Sequence, residues 1–400
     1  MDCCPPFFIG ETKAMKDFPF DYLGVLMMPT DSCNMNCIYC FNSRRPASAG
    51  KRMSDEVVKH TFECVLPYYK KVRFIWHGGE PLLMGKDFYE RVIELQKSAN
   101  LKGTVVENSV QTNLTLLDDN LARFLTENKF HIGSSFDGFI TNESTRGNTK
   151  KIIEGHEVLK RTGSHNGFIC VVQSHNIDHL IDDYEEFKRR GINYTLNPYL
   201  TSPPYEKDPL FVPADDCVKK ICAFFDYWMY DTTCNIHIGY FKHFLDFILF
   251  GSKELCVYTS CLGKHIGVQW DGTLYACNRD FPEDYCFGNI LNYSDIRDCF
   301  DSKGFQNLLR DAVHRRNVCK QNCHIYSFCA GGCNSTALAG GSVCQPNDYA
   351  CKVLTGIYDH ISQQIGPWMD EPEESVKGKL NPVLKEMLSR AVKHTMAATH

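Results

Sequence analysis

The sequence lacks any apolar run long enough to cross a bilayer. Its longest stretches, such as Phe244–Phe250, fall well short of the roughly 20 residues a membrane helix needs. It also lacks a surplus of positive charge. Lys and Arg number 43 against 48 Asp and Glu, a formal net charge of -5, so there is no basic footprint for nucleic acid. Met1–Pro6 has neither a basic n-region nor an apolar h-region, so no signal peptide is read there and the cytoplasm is the expected compartment. Internal repeats and low-complexity segments are absent. What remains is globular in composition, 43% hydrophobic and 23% charged, and its 400 residues suffice for two or three structural units.

Cysteine is present in excess, at 21 residues. An odd total in a long chain without an export signal favours metal ligation over a disulfide framework.

The first ~220 residues alternate β-rich runs with helical periodicity. Strands are predicted at Leu23–Met28, Val72–Trp76, Thr104–Gln111, His131–Phe136, Phe168–Gln173 and Tyr194–Leu200. Helices are predicted at Asp55–Leu66, Lys86–Ser98, Leu117–Glu127, Lys150–Arg161 and Asp178–Arg189. Parallel neighbours need crossover connections, so six such units imply a parallel sheet, which fits a partial (β/α)6 TIM barrel or an open sheet. Ligands are expected at the C-terminal strand ends in either case. Those ends carry the first cysteine group, then His77-Gly78-Gly79-Glu80, Gln111-Thr112-Asn113 and Asp137-Gly138. A further helix is read over Pro213–Tyr230. From Cys256 to Cys351 the chain is rich in cysteine and glycine and poor in periodicity, as if organised around metal. Asn381 and Pro382 form an N-cap and first turn for a last helix, whose stripe of Val383, Leu384, Met387, Leu388, Ala391 and Val392 packs onto the body.

Cys33-x3-Cys37-x2-Cys40 sets three thiolates in one loop after a strand. Zinc usually takes four protein ligands in paired spacings, and no fourth lies nearby. Three ligands on a four-iron cluster leave one iron for something else, whereas an electron-transfer ferredoxin fills the fourth position.

With Tyr39 before the last cysteine, this loop resembles that of the radical S-adenosylmethionine (SAM) superfamily. The resemblance implies that SAM chelates the open iron and is cleaved by one electron to methionine and a 5′-deoxyadenosyl radical, which takes hydrogen from the substrate. Gly78-Gly79-Glu80-Pro81 resembles the family's GGEP motif, with glycines for close backbone approach and Glu80 accepting from the SAM ammonium. By the same resemblance Thr112 and Asn113 line the SAM site, Ser135 meets the ribose and Arg146 the carboxylate. A flavodoxin or ferredoxin would supply the electron.

The later cysteines run Cys256-x4-Cys261-x10-Gly272-x4-Cys277, then Cys319-x3-Cys323-x5-Cys329-x3-Cys333, then Cys351. They resemble the SPASM extension, which binds two auxiliary [4Fe–4S] clusters, except that the usual C-x2-C is C-x3-C here. The resemblance implies Cys256, Cys261, Cys277 and Cys333 for the first cluster, and Cys319, Cys323, Cys329 and Cys351 for the second. Cys344 is a rival to Cys351. The expected organisation is then an N-terminal segment over 1–22, a radical SAM barrel over 23–205 and a helical bridge over 206–252. A SPASM domain over 253–365 and a helical tail over 366–400 complete it.

SPASM enzymes mostly act on peptides or proteins. The leading expectation is a maturase installing a thioether or carbon–carbon cross-link in a ribosomally made peptide; the alternatives are an anaerobic sulfatase-maturing enzyme, which oxidises Cys or Ser to formylglycine, and an epimerase. The sulfatase-maturing branch has a basic aspartate directly after the cysteine that is Cys277 here, and this chain has Asn278. An amide cannot accept the proton, so Asp280 is the expected catalytic acid–base group, with Glu283 and Asp284 as substitutes. Only about 30 residues precede Cys33, too few for a leader-binding module. Gln173, His175 and Tyr199, at late strand ends, are substrate-pocket candidates. A ferredoxin-like carrier would need neither GGEP nor six βα units, and a zinc module would leave the barrel unexplained.

Overall fold

A computed structural model describes residues 21–42, 50–164, 167–200, 202–259, 261–279, 281–369 and 378–398. Six strands alternate with helices along the first half: β1 (Tyr22–Met27), β2 (Lys71–Trp76), β3 (Val105–Thr112), β4 (Phe130–Ser135), β5 (Phe168–Val172) and β6 (Tyr194–Pro198). The helices are α1 (Asp55–Val65), α2 (Lys86–Ala99), α3 (Asp119–Glu127), a single turn α4 (Asn142–Thr145), α5 (Thr149–Arg161) and α6 (Leu180–Arg190). All six predicted strands and all five predicted helices are present, with ends moved by a few residues. Local chemistry explains several boundaries: Ser54 accepts from the Val57 N–H to cap α1, and Asp118 from the Leu121 N–H to cap α3.

The chain divides into two compact units. The first comprises Met1–Ser135, Arg146–Asn166 and Ser260–Arg315. Its strands β1 to β4 pair in parallel, each with the next. Two strands unforeseen in the sequence, β7 (His265–Val268) and β8 (Leu274–Tyr275), extend it: β7 pairs in parallel with β1, and β8 antiparallel with β7. Phe62, Phe74, Trp76 and Tyr89 are fully buried between sheet and helices. Each such side chain contributes about 1.5–3 kcal/mol. The register sets the site: with Met27 opposite Trp76 and Trp76 opposite Val110, the loops after β1, β2 and β3 emerge at one edge.

The second unit comprises Phe136–Thr145, Gly167–Thr259 and Arg316–His400. It holds the parallel pair β5–β6 and helices α7 (Ala214–Tyr230) and α8 (Gly239–Phe250), whose Phe224, Phe225, Trp228 and Phe241 form an aromatic core. The cysteine-rich segment is more regular than its composition suggested. It contains α9 (Lys303–Asn322), α10 (Tyr326–Cys329), α11 (Asn334–Ala339) and α12 (Asp348–Met369). The last helix, α13 (Pro382–Ala398), follows Asn381, whose Oδ1 accepts from the Leu384 N–H and whose Nδ2 donates to the Trp228 carbonyl. Leu384, Met387, Leu388 and Ala391 are buried as expected, while Val392 is exposed. Among the described residues no helix is long and apolar enough to cross a membrane.

Candidate active site

The loop after β1 is held by the loop after β2, backbone against backbone. Gly79 N–H donates to the Thr30 carbonyl (3.0 Å) and Glu80 N–H to the Ser32 carbonyl (2.7 Å). A Cβ at Gly79 would stand 2.0 Å from the Ser32 carbonyl oxygen. Gly78, at φ +129°, would place one 2.9 Å from the Thr30 oxygen. The two glycines are therefore required by the cysteine loop itself, a closer cause than the approach of a ligand. Asn42 donates to the Gly78 carbonyl and ties down the far end of the loop.

Glu80 is 1% exposed. Its Oε1 accepts from the Leu82 N–H (2.9 Å) and the Thr112 hydroxyl (2.7 Å), and its Oε2 from the Asn113 N–H (2.8 Å). Burial raises its pKa, and these three donors with the Arg146 charge oppose the rise. A carboxylate offers about four acceptor positions, so one remains for a cationic ligand group. Asn113 Nδ2 also donates to Asn34 Oδ1 (2.9 Å) and approaches Cys33 Sγ at 3.9 Å, while the Met35 N–H donates to the same sulfur at 3.4 Å. Part of Cys33 is exposed, yet the protein crowding its sulfur raises the thiol; the Met35 N–H opposes this, Glu80 and Cys40 add to it, and Arg146 lowers it. Arg146 Nη1 donates to the Tyr39 hydroxyl (2.8 Å), so the aromatic before Cys40 is fixed by the arginine expected to meet a carboxylate. Ser135 accepts from Gln111 Nε2 (3.0 Å). The structure thus gathers Cys33, Tyr39, Cys40, Glu80, Asn113 and Arg146 in one neighbourhood.

Asn278 is 8% exposed, and its side-chain amide lies 2.8 Å from His77 Nδ1. The Gly78 N–H donates to that same nitrogen (2.6 Å), so Nδ1 accepts and the neutral ring carries its proton on Nε2. Phe41 stacks on His77, and the Arg279 guanidinium lies 4.6 Å over the Phe41 ring. Sequence reasoning assigned His77 no role; its signal was its place directly before the glycine pair. Burial, then the Arg279 charge, lowers its pKa from 6.5 to about 4. The unfolded chain therefore binds the extra proton between those values while the folded chain does not. Stability is complete above pH 6.5 and falls on acidification towards 4, by about 3 kcal/mol at most. His77→Gln should flatten this part of the pH dependence of the melting temperature; an unchanged slope would refute the assignment.

In the second unit the Cys329 thiol is pushed up to about 12, first by burial and then by the negative charge of Cys351, Cys319 and Cys323. The four expected ligands of one auxiliary cluster are thus electrostatic neighbours. Cys319 lies on α9, Cys329 ends α10, and Cys351 is in the first turn of α12. Among the described residues no three His, Cys, Asp or Glu side chains are drawn together as a single metal ion would require. A four-iron cluster holds its thiolates further apart than one ion does, so wider spacing suits the larger group. Around Cys33 the fit is chemical: N–H groups directed at the sulfur are the interactions that stabilise and tune a thiolate ligand. Cys256 is exposed, and Cys261, Cys277 and Cys333 are partly buried. Glu283 and Asp284 face solvent. Asp280 lies outside the described residues.

Two segments match known families: residues 27–187 match the Radical SAM superfamily, and residues 256–324 match SPASM, an iron-sulfur cluster-binding domain. This is a radical SAM enzyme, an α/β protein with a radical SAM core, a partial (β/α)6 barrel, and a SPASM domain. A cysteine-type anaerobic sulfatase-maturating enzyme of Clostridium perfringens is 30% identical over 78% of this chain and 88% of its own length. A serine-type enzyme of Bacteroides thetaiotaomicron is 26% identical over 92% of this chain and 96% of its own. The structure of native anSMEcpe with bound AdoMet and Cp18Cys peptide superposes with a TM-score of 0.76, at 27% identity, covering 86% of this chain and 98% of that one. Streptococcus suis SuiB bound to its precursor peptide SuiA gives 0.58 at 14% identity, which shows a shared fold alone. The chain belongs to the family of the anaerobic sulfatase-maturating enzymes. Its cofactors are SAM and three [4Fe–4S] clusters, and it modifies a protein or peptide.

Proposed function

We propose that the protein oxidises a cysteine or serine side chain of a protein substrate to formylglycine. The observation that carries this is the likeness to the Clostridium perfringens enzyme, over 78% of this chain and 88% of that one. The cross-linking reading ranked first from the sequence is the less favoured, because the relatives that match over most of the chain are sulfatase-maturating enzymes.

In this reading Cys33, Cys37 and Cys40 hold the cluster at which SAM is cleaved, while Glu80, Thr112, Asn113, Ser135 and Arg146 line the SAM site. Cys256, Cys261, Cys277 and Cys333 hold the first auxiliary cluster, and Cys319, Cys323, Cys329 and Cys351 the second. When bound, SAM and its cluster supply a 5′-deoxyadenosyl radical. The protein's part is to present the side chain and receive the proton it releases; for cysteine, water must also reach it to supply the aldehyde oxygen as sulfide leaves. Asn278 cannot receive it, and the His77 nitrogen facing Asn278 is engaged by donors on both sides. Asp280 is retained as the proposed acceptor. A flavodoxin or ferredoxin is the proposed electron donor.

The test is mass spectrometry of Cys- and Ser-bearing sulfatase peptides after anaerobic incubation with reconstituted enzyme, SAM and dithionite. An aldehyde captured by a hydrazide at that residue is the expected product. A thioether or carbon–carbon link without aldehyde would return the cross-linking reading to first place, and solvent deuterium at an α-carbon would indicate epimerisation.

A further inference from the structure

Directly after β5, Gln173 has no exposed surface, and its carboxamide is only half used. Oε1 accepts twice, from the His175 backbone N–H at 2.7 Å and from His175 Nδ1 at 2.9 Å. A backbone N–H can only donate, which fixes the oxygen on that side and leaves Nε2 as the other end. Nε2 is buried without a hydrogen-bond partner among the described residues. Several buried polar atoms lack a partner among the described residues, and this one stands at the ligand-binding end of a parallel strand, where a group from outside the chain can serve it.

The surroundings hold this end rigid. Gln173 N–H donates to Asn176 Oδ1 (2.8 Å), its carbonyl accepts from the Asn176 and Ile177 N–H groups, and Asn176 Nδ2 donates to the Val171 carbonyl (2.8 Å). Ser174 is pinned through its hydroxyl to the Pro209 carbonyl (2.7 Å) and through its N–H to Leu210. The Gln173 oxygen also dictates the His175 tautomer. Nδ1 must carry the proton in that bond, which leaves Nε2 of this exposed ring as the position that can accept. The turn therefore offers one buried donor and one exposed acceptor, the complement of the C=O and N–H of a peptide backbone.

We propose that Gln173 and His175 bind the main chain of the peptide substrate, Gln173 Nε2 donating to a carbonyl and His175 Nε2 accepting from an amide. The inference rests on the reading above that the substrate is a sulfatase-type peptide. SAM is the less favoured occupant, because the residues proposed for it belong to the loop after β1, the ends of β2 to β4, and Arg146.

Gln173→Glu keeps an oxygen for both His175 N–H groups and replaces the free N–H donor by a second carboxyl oxygen, at a buried position where the carboxylate also brings a charge. Fluorescence anisotropy of labelled Cp18Cys peptide on the reconstituted holoenzyme with SAM should show the dissociation constant rising about tenfold or more, with SAM affinity unchanged. His175→Phe, at an exposed ring, should weaken peptide binding several-fold and serves if the first variant folds poorly. Unchanged peptide binding in both variants would mean that water serves the amide and would overturn the proposal; so would a loss confined to SAM. Failure of the wild-type enzyme to bind the peptide would instead sink the sulfatase-type reading, and this proposal with it.

Discussion

Replacing Cys33, Cys37 or Cys40 by alanine should abolish 5′-deoxyadenosine formation while leaving about two-thirds of the iron. Three four-iron clusters hold about 12 iron per chain, and loss of one leaves about eight. The argument is one of stoichiometry: a loop that offers three thiolates has none to spare, whereas the later cysteines are numerous enough for two complete sets of four. Iron and acid-labile sulfide measured beside SAM cleavage make the test double. A variant that still cleaved SAM under dithionite would refute the assignment of this loop, and one that lost all its iron would show that the three clusters do not assemble separately.

Gly79→Ala should produce a similar loss without removing any ligand. The added methyl would stand 2.0 Å from the Ser32 carbonyl oxygen and 2.5 Å from its carbon, both backbone atoms, so no rotamer change relieves it. Either the cysteine loop or the start of the Glu80 turn must shift, and with it the Gly79-to-Thr30 and Glu80-to-Ser32 hydrogen bonds. Overpacking of this kind costs about 1–3 kcal/mol, in one of the segments that position Cys33. The expected variant is folded by circular dichroism, binds about two-thirds of the wild-type iron and forms little 5′-deoxyadenosine. Full iron content with normal SAM cleavage would mean that the two loops move independently.

Much of this was legible in one dimension. The alternation of period-2 and period-3.6 segments located six strands and five helices because each element carries its own periodicity. Motifs contiguous in sequence, such as Cys33–Cys40 and Gly78–Pro81, announced their chemistry through spacing. What could not be read were pairings across long separations. His77 and Asn278 are 201 positions apart, and nothing in either segment indicates that one receives the other's hydrogen bond. The backbone whose close approach requires Gly79 could not be named for the same reason: it is that of Ser32, far back in the chain. Helix α9 was missed because its buried face includes Asp311 and Arg315 among Phe305, Leu308 and Ala312, so the apolar stripe is broken. Strands β7 and β8 are too short to show alternation.

The pairing of β7 with β1 bears on how such a protein could have been assembled. Gly24 to Met27 are matched one for one by His265 to Val268, drawn from the cysteine-rich part of the chain. Without that neighbour, β1 would present a free edge, a template for joining other chains. The cysteine-rich region is therefore not a removable passenger on a self-sufficient core. It supplies part of the first unit's own sheet, and a gene shortened between the two matched families would encode a sticky fragment rather than a simpler enzyme.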